Sequence, residues 1–128
     1  MKKMTKKILV VDDKRYMVDV LRIIRENEGY EIVCGYSGKE CMEKLEGEKP
    51  DLILLDLMVP EMNGWETVDC IRSNESTKDT PVVMITVKER IPSEEELRVK
   101  GIRGYITKPF EREDLIKRLK KILEAPSS

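Results

Sequence analysis

A doubly wound α/β fold, a five-stranded parallel sheet with helices on both faces, is predicted by three features of the sequence. Ile8 to Val11, Leu52 to Leu55 and Val82 to Ile85 are apolar at consecutive positions. Such runs fit strands buried on both faces, whereas alternation marks a strand with one wet face. Segments with apolar residues at helical spacing lie between the runs. Polar residues follow the runs directly, as expected where parallel strands end together at a ligand-binding edge.

The elements follow in order. The first strand, Ile8 to Val11, runs straight into Asp12 and Asp13. Met17, Leu21 and Ile24 then recur at helical spacing up to Gly29, and Glu31 to Cys34 gives the second strand. Ser37-Gly-Lys-Glu40 fits a capping box, in which serine and glutamate side chains satisfy free N–H groups at a helix start. The helix it opens carries Cys41 and Leu45 and reaches Gly47. Leu52 to Leu55 leads into Asp56 and a loop punctuated by Pro60 and Gly64, after which Val68 and Ile71 mark the next helix. The fourth strand, Val82 to Ile85, ends in Thr86, and Ser93 to Glu96 is a second capping box. Past Gly101 the fifth strand is a weak signal, Tyr105 and Ile106, leading into Thr107-Lys108-Pro109. Leu115, Leu119, Ile122 and Leu123 define the last helix. Right-handed crossovers would place every strand's carboxyl end on one edge of the sheet.

Composition narrows the function. The chain has 128 residues, 40% of them hydrophobic, enough for one sizeable core and too few for two ordinary domains, so residues 1–128 read as a single domain with a core from about 7 to 123. Its 24 basic and 25 acidic side chains nearly cancel, which gives no field for a nucleic-acid or membrane partner. The basic opening MKKMTKK is followed by too short an apolar run for a signal peptide or membrane span, so a cytoplasmic protein is expected. Cys34, Cys41 and Cys70 show no C-x-x-C pattern and there is no histidine to complete a zinc site, so they are expected to be buried, reduced thiols. Ala125-Pro-Ser-Ser reads as a frayed tail or a cut linker.

Three acids, a hydroxyl and an amine are thus brought to one edge: Asp12, Asp13, Asp56, Thr86 and Lys108. Were the first and third strands adjacent, Asp13 and Asp56 would repel at close range and call for a cation. Oxygen donors without His or Cys select a hard ion, and a partly hydrated magnesium with bonds of about 2.0–2.1 Å suits so few protein ligands. Metal, Lys108 and the Thr86 hydroxyl together describe a phosphoryl-transfer site in which Asp56 attacks in line and becomes an acyl phosphate. Each residue also has a plainer reading: Asp13 as a helix cap, Asp56 as a turn former, Thr86 as a β-branched strand residue and Lys108-Pro109 as a turn.

The motifs VVDD, LLDLMVPEMNG, MIT and YITKPF, in this order, resemble the receiver domain of two-component response regulators, most closely the single-domain chemotaxis type. The resemblance runs from Lys7 to Leu123. It implies a flavodoxin-like sheet of order 2-1-3-4-5 and phosphorylation of Asp56 by a histidine kinase or a small phosphodonor. It also implies magnesium held by Asp12, Asp13, Asp56 and the backbone carbonyl of Met58. Thr86 and Lys108 would contact the phosphoryl group, the Lys108-Pro109 bond is usually cis in the family, and Tyr105 would move inward as the Thr86 hydroxyl turns. The implied output is the surface formed by the helix from about Ser93 to Lys100, the fifth strand and the last helix, where Arg103, Lys117 and Lys121 offer charge. It would engage a downstream effector or a detached output domain. Such a protein is a signalling phosphoacceptor that catalyses its own phosphoryl transfer and slow dephosphorylation.

Two departures bear on rate. Val87 is bulkier than the small residue usual after the threonine, and Met58 offers no polar side chain to orient a water; both point to slow self-hydrolysis. Three other classes fit the residues less well. An aspartate-nucleophile phosphatase needs a second acid where Met58 stands. A flavin or dinucleotide carrier needs a glycine- or hydroxyl-rich loop where DDKRY stands. A receiver-like binding module without phosphorylation would not need all five polar positions filled.

Overall fold

Leu52 to Asp56 is buried at every residue and forms the central strand, β3, of the sheet. The structure is a computed structural model that describes residues 6–11, 22, 26, 29–35, 38–47, 49–56, 64–87, 91–108 and 110–123. The other strands are β1 (Lys7–Val11), β2 (Glu31–Gly35), β4 (Val82–Val87) and β5 (Ile102–Lys108). All neighbours pair in parallel, in the order β2-β1-β3-β4-β5. The helices are α1 (Gly38–Gly47), α2 (Gly64–Ser73), α3 (Glu94–Val99) and α4 (Arg112–Leu123). Arg22 and Glu26, between β1 and β2, are also helical. Among the described residues no helix is long and apolar enough to cross a membrane.

Side chains on successive strand residues point to opposite faces, so continuously apolar strands must feed two cores. They do. Ile8, Val10, Leu52, Leu54, Val83, Ile85 and Ile106 meet Leu115, Leu119 and Leu123 of α4. Leu9, Val11, Ile53, Leu55, Val82 and Met84 meet Cys41 and Leu45 of α1 and Val68 and Ile71 of α2 on the other face. Each fully buried aliphatic side chain contributes about 1.5–3 kcal/mol through area removed from water.

The fifth strand is three residues longer at its start than the sequence suggests, because Ile102-Arg103-Gly104 carries no regular pattern. The pairing explains this: Val82 faces Ile102 while Val83 faces Gly104, so Arg103 is an extra, bulged residue. The bulge turns Ile102 and Tyr105, an odd number of residues apart, toward the same core. It also interrupts the exposed edge of the sheet, which discourages pairing with other strands.

None of the three cysteines is in a disulfide, but only Cys41 is fully buried; Cys34 and Cys70 are half-buried, which corrects the expectation for those two. Cys34 lies on the edge strand β2, whose residues are largely half-exposed, and Cys70 lies on α2 beside the buried positions Val68 and Ile71. Burial, with the neighbouring Cys70 adding to it, pushes the Cys41 thiol up to about 12, so it stays protonated and inert.

Of the two predicted capping boxes, that of Ser37 lies outside the described residues and that of Ser93 is complete. The Glu96 N–H donates to Ser93 Oγ at 3.1 Å, and the Ser93 N–H donates to Glu96 Oε1 at 3.0 Å. The Ser93 N–H first, and then the Ser93 hydroxyl, hold the Glu96 carboxyl below its ordinary value of 4.5. Because the folded value is the depressed one, the cap's contribution is present above the ordinary value and is lost as pH falls through the folded one. It matters locally, since α3 has no fully buried residue and meets the core only through the half-buried Leu97. The protection of the amides at the start of α3, measured against the intrinsic exchange rate at each pH, is therefore expected to fall on acidification below 4.5 in the wild type, and to lose that step in Glu96→Gln.

Candidate functional site

The carboxyl ends of β3, β4 and β5 carry the polar residues that the sequence singles out. Asp56 is the last residue of β3 and is 5% exposed, and Thr86 of β4 is 4% exposed. Asp56 lies level with Ile85, and Ile85 with Ile106, so Lys108 leaves β5 two residues beyond the level of Asp56 and two strands away. Two strand spacings amount to about 9–10 Å, a gap that an extended lysine and an aspartate side chain can close between them. Lys108 Nζ donates to Asp56 Oδ2 at 2.6 Å, with both side chains largely buried. Burying a carboxylate costs far less beside a cation than alone, and here the Lys108 amine lies against it.

The pleat divides the other two residues from this pair. Thr86 and Tyr105 fall by alternation on the face shared with Met84, while Asp56 and Lys108 fall on the opposite face, that of Ile85 and Ile106. Tyr105 is half-buried against the core of α1 and α2. Its carbonyl accepts a hydrogen bond from Arg118 Nη1 at 3.0 Å. The sequence reading did not single out Arg118. Its signal was spacing: it lies three residues after the buried Leu115 on the helix that closes over β5.

Asp12, Asp13, Met58 and Pro109 lie outside the described residues. β1 ends at Val11, whose register partner is Leu55, so the chain leaves β1 next to the strand tip that carries Asp56. The described part of the site is thus a buried carboxylate clamped by an amine, with a buried hydroxyl on the strand between them.

The sequence pattern of the response regulator receiver domain matches residues 8–120. The chain belongs to that family. This receiver domain is 39% identical, over 98% of its length, to the alkaline phosphatase synthesis transcriptional regulatory protein PhoP of Bacillus subtilis, and spans about half of that regulator, 53%. Among solved structures it resembles the chemotaxis response regulator CheY4 of Vibrio cholerae, with a TM-score of 0.84 at 29% identity, covering 93% of this chain and 99% of that one. The N-terminal domain of a response regulator receiver protein from Methanoculleus marisnigri is 39% identical, with a TM-score of 0.73, covering 94% of this chain and 98% of that one. Receiver domains belong to two-component signalling, and the sheet order found here is the one that the resemblance implied.

Proposed function

We propose that this receiver domain is the phosphoacceptor of a two-component relay and that Asp56 takes the phosphoryl group. The observation that carries the reading is the 2.6 Å contact between Lys108 and the buried Asp56 at the sheet edge. An Asp56 oxygen attacks phosphorus in line, a P–O bond forms, and the bond to the donor breaks. The donor is the imidazole of a histidine kinase or a small acyl phosphate, and the bonding pair leaves with it. Lys108, already placed against one carboxylate oxygen, then neutralises a phosphoryl oxygen, and the Thr86 hydroxyl donates to another.

Magnesium fits the donor chemistry, because the Asp56 carboxylate is a hard, buried oxygen ligand beside the strand from which Asp12 and Asp13 follow. Asp12, Asp13, Asp56 and the Met58 carbonyl would hold it. When bound, the ion neutralises charge on the transferring phosphoryl oxygens.

On this reading residues 1–128 form one cytoplasmic receiver domain with its core at about 7–123. The partners are a histidine kinase and an effector protein or detached output domain. A phosphoryl group adds about −1.5 to −2 charges. Thr86 and Tyr105 share a sheet face, so a turn of the hydroxyl toward the phosphoryl group frees space beside β5 for the ring. That motion would reach α3, β5 and α4, the output surface. Moving a population from about 1:99 to 99:1 requires about 5.5 kcal/mol of differential interaction, which the new contacts of Lys108, Thr86 and the ion must supply.

Intact mass after treatment with magnesium and acetyl phosphate tests the acceptor. One phosphoryl group is expected on the wild type and none on Asp56→Asn; a wild type that remains unmodified by acetyl phosphate and by kinase alike would reject the reading. Val87→Ala is expected to take up and lose the group several-fold faster, read as phosphate release over time, and unchanged rates would remove Val87 as a cause of slow turnover.

A further inference from the structure

The outer side of β5 meets α4 along a groove of about 500 Å³. Its floor is apolar, from Val83, Ile106 and Ile122, and its rim carries Arg103, Arg118 and Lys121. Among the described residues that line it none is acidic. Gly104 makes the groove possible. It stands opposite Val83 in the strand, and a Cβ added there would meet nothing within 4 Å, so the missing side chain leaves space and not a packed contact. The bulged Arg103 lies beside it, and all three cations are exposed.

We propose that this groove docks an acidic segment of a partner protein, one that seats an apolar side chain over Gly104 and sets carboxylates against Arg103, Arg118 and Lys121. The proposal rests on the output surface suggested above and names the chemistry of what that surface binds. Charge complementarity selects the occupant. A second copy docked by two-fold symmetry would set the same three cations against themselves, which like-charge repulsion opposes. Addition of a partner strand to the β5 edge is also disfavoured, because the Arg103 bulge breaks the edge and the Tyr105 carbonyl already accepts from Arg118. Recognition therefore falls to side chains: an apolar anchor for the floor and acids for the rim.

The test uses the full chain, phosphorylated and unphosphorylated, with two synthetic peptides: one alternating glutamate with leucine, and one of the same pattern with lysine in place of glutamate. Amide shifts locate the binding. The acidic peptide is expected to move the signals of residues 103–106 and 118–122, and the basic one to leave them in place. Arg103→Glu and Lys121→Glu are each expected to weaken binding about tenfold, and added salt to weaken it further. Gly104→Leu is expected to fill the groove and abolish binding while Asp56 still takes up a phosphoryl group from acetyl phosphate. Equal binding of both peptides, or undiminished binding to Gly104→Leu, would overturn the proposal. So would dimers in sedimentation that Arg103→Glu dissolves, or duplex DNA shifting the same amides as strongly as the peptide. If Asp56 takes no phosphoryl group but the acidic peptide still binds as described, the phosphoacceptor reading fails and the docking groove stands.

Discussion

Lys108→Met is expected to destabilise the protein by about 3 kcal/mol and to slow phosphoryl uptake at Asp56 by about a hundredfold. The first effect follows from burial. Asp56 lies almost wholly inside, and Lys108 Nζ touches its carboxylate at 2.6 Å. Methionine keeps most of the stem's volume and removes the charge, so the carboxylate stays buried without its ammonium. Removing one partner of a buried pair costs more than the pair contributes, because the remaining charge has lost its solvent as well as its counter-ion. Urea unfolding of Lys108→Met, Asp56→Asn and the double variant separates the two parts. The double variant is expected to be more stable than Lys108→Met alone, since an uncharged amide tolerates the site better than a carboxylate that has lost its ammonium. An Asp56→Asn effect of the same size in the wild type and in Lys108→Met would show that the pair is not coupled. The second effect follows from the charge that gathers on the phosphoryl oxygens during transfer: an ammonium already in place stabilises it without reorganisation. Intact-mass time courses with acetyl phosphate measure that loss.

The fold was legible where local pattern and tertiary environment agree. β1, β3 and β4 are apolar at consecutive residues because helices cover both faces, and their limits fall within one or two residues of the apolar runs. β5 was half-legible. A bulged arginine and a glycine occupy its first turn of the pleat, and neither residue carries the hydrophobic signal by which a strand is recognised. For the same reason the groove over Gly104 could not be seen in the sequence: it consists of a missing side chain opposite Val83, and that opposition is a matter of register. Of the candidate site, the meeting of Asp56 and Lys108 was legible because both end strands of a parallel sheet, which brings chain-distant residues to one edge. The division of Asp56 and Lys108 from Thr86 and Tyr105 onto opposite faces was not, since it depends on how β4 and β5 align.

Arg72→Ala is expected to cost about 2 kcal/mol and to loosen the junction between α3 and β5 before the rest of the molecule unfolds. The guanidinium at the end of α2 donates to four backbone carbonyls: Lys78 at 3.0 Å, Thr80 at 2.8 Å, Lys100 at 3.1 Å and Gly101 at 2.9 Å. Two of these lie in the segment that leads into β4 and two in the turn that leads from α3 into β5, so one planar group fixes the entry to both strands. Partial burial lowers its pKa, countered by the charge of Asp79, and it remains fully ionised at neutral pH. Gly101, at φ +69°, supplies the left-handed turn, and a Cβ there would come within 3.3 Å of Arg72 Nε. Turn geometry and arginine fork are therefore matched. α3 has no fully buried residue and meets the core only through the half-buried Leu97, so its ends carry much of its position: the Ser93 cap at the start, and Arg72 with the 2.6 Å Lys100–Asp69 ion pair at the finish. Arg72→Lys is expected to recover less than half the loss, because a single ammonium cannot serve four carbonyls spread around a planar fork. Hydrogen exchange supplies the check. In Arg72→Ala, protection should fall first at residues 94–104 while the amides of β1 and β3 keep theirs. A uniform loss across the sheet would instead mean that the arginine stabilises the whole domain and that α3 is held by other contacts.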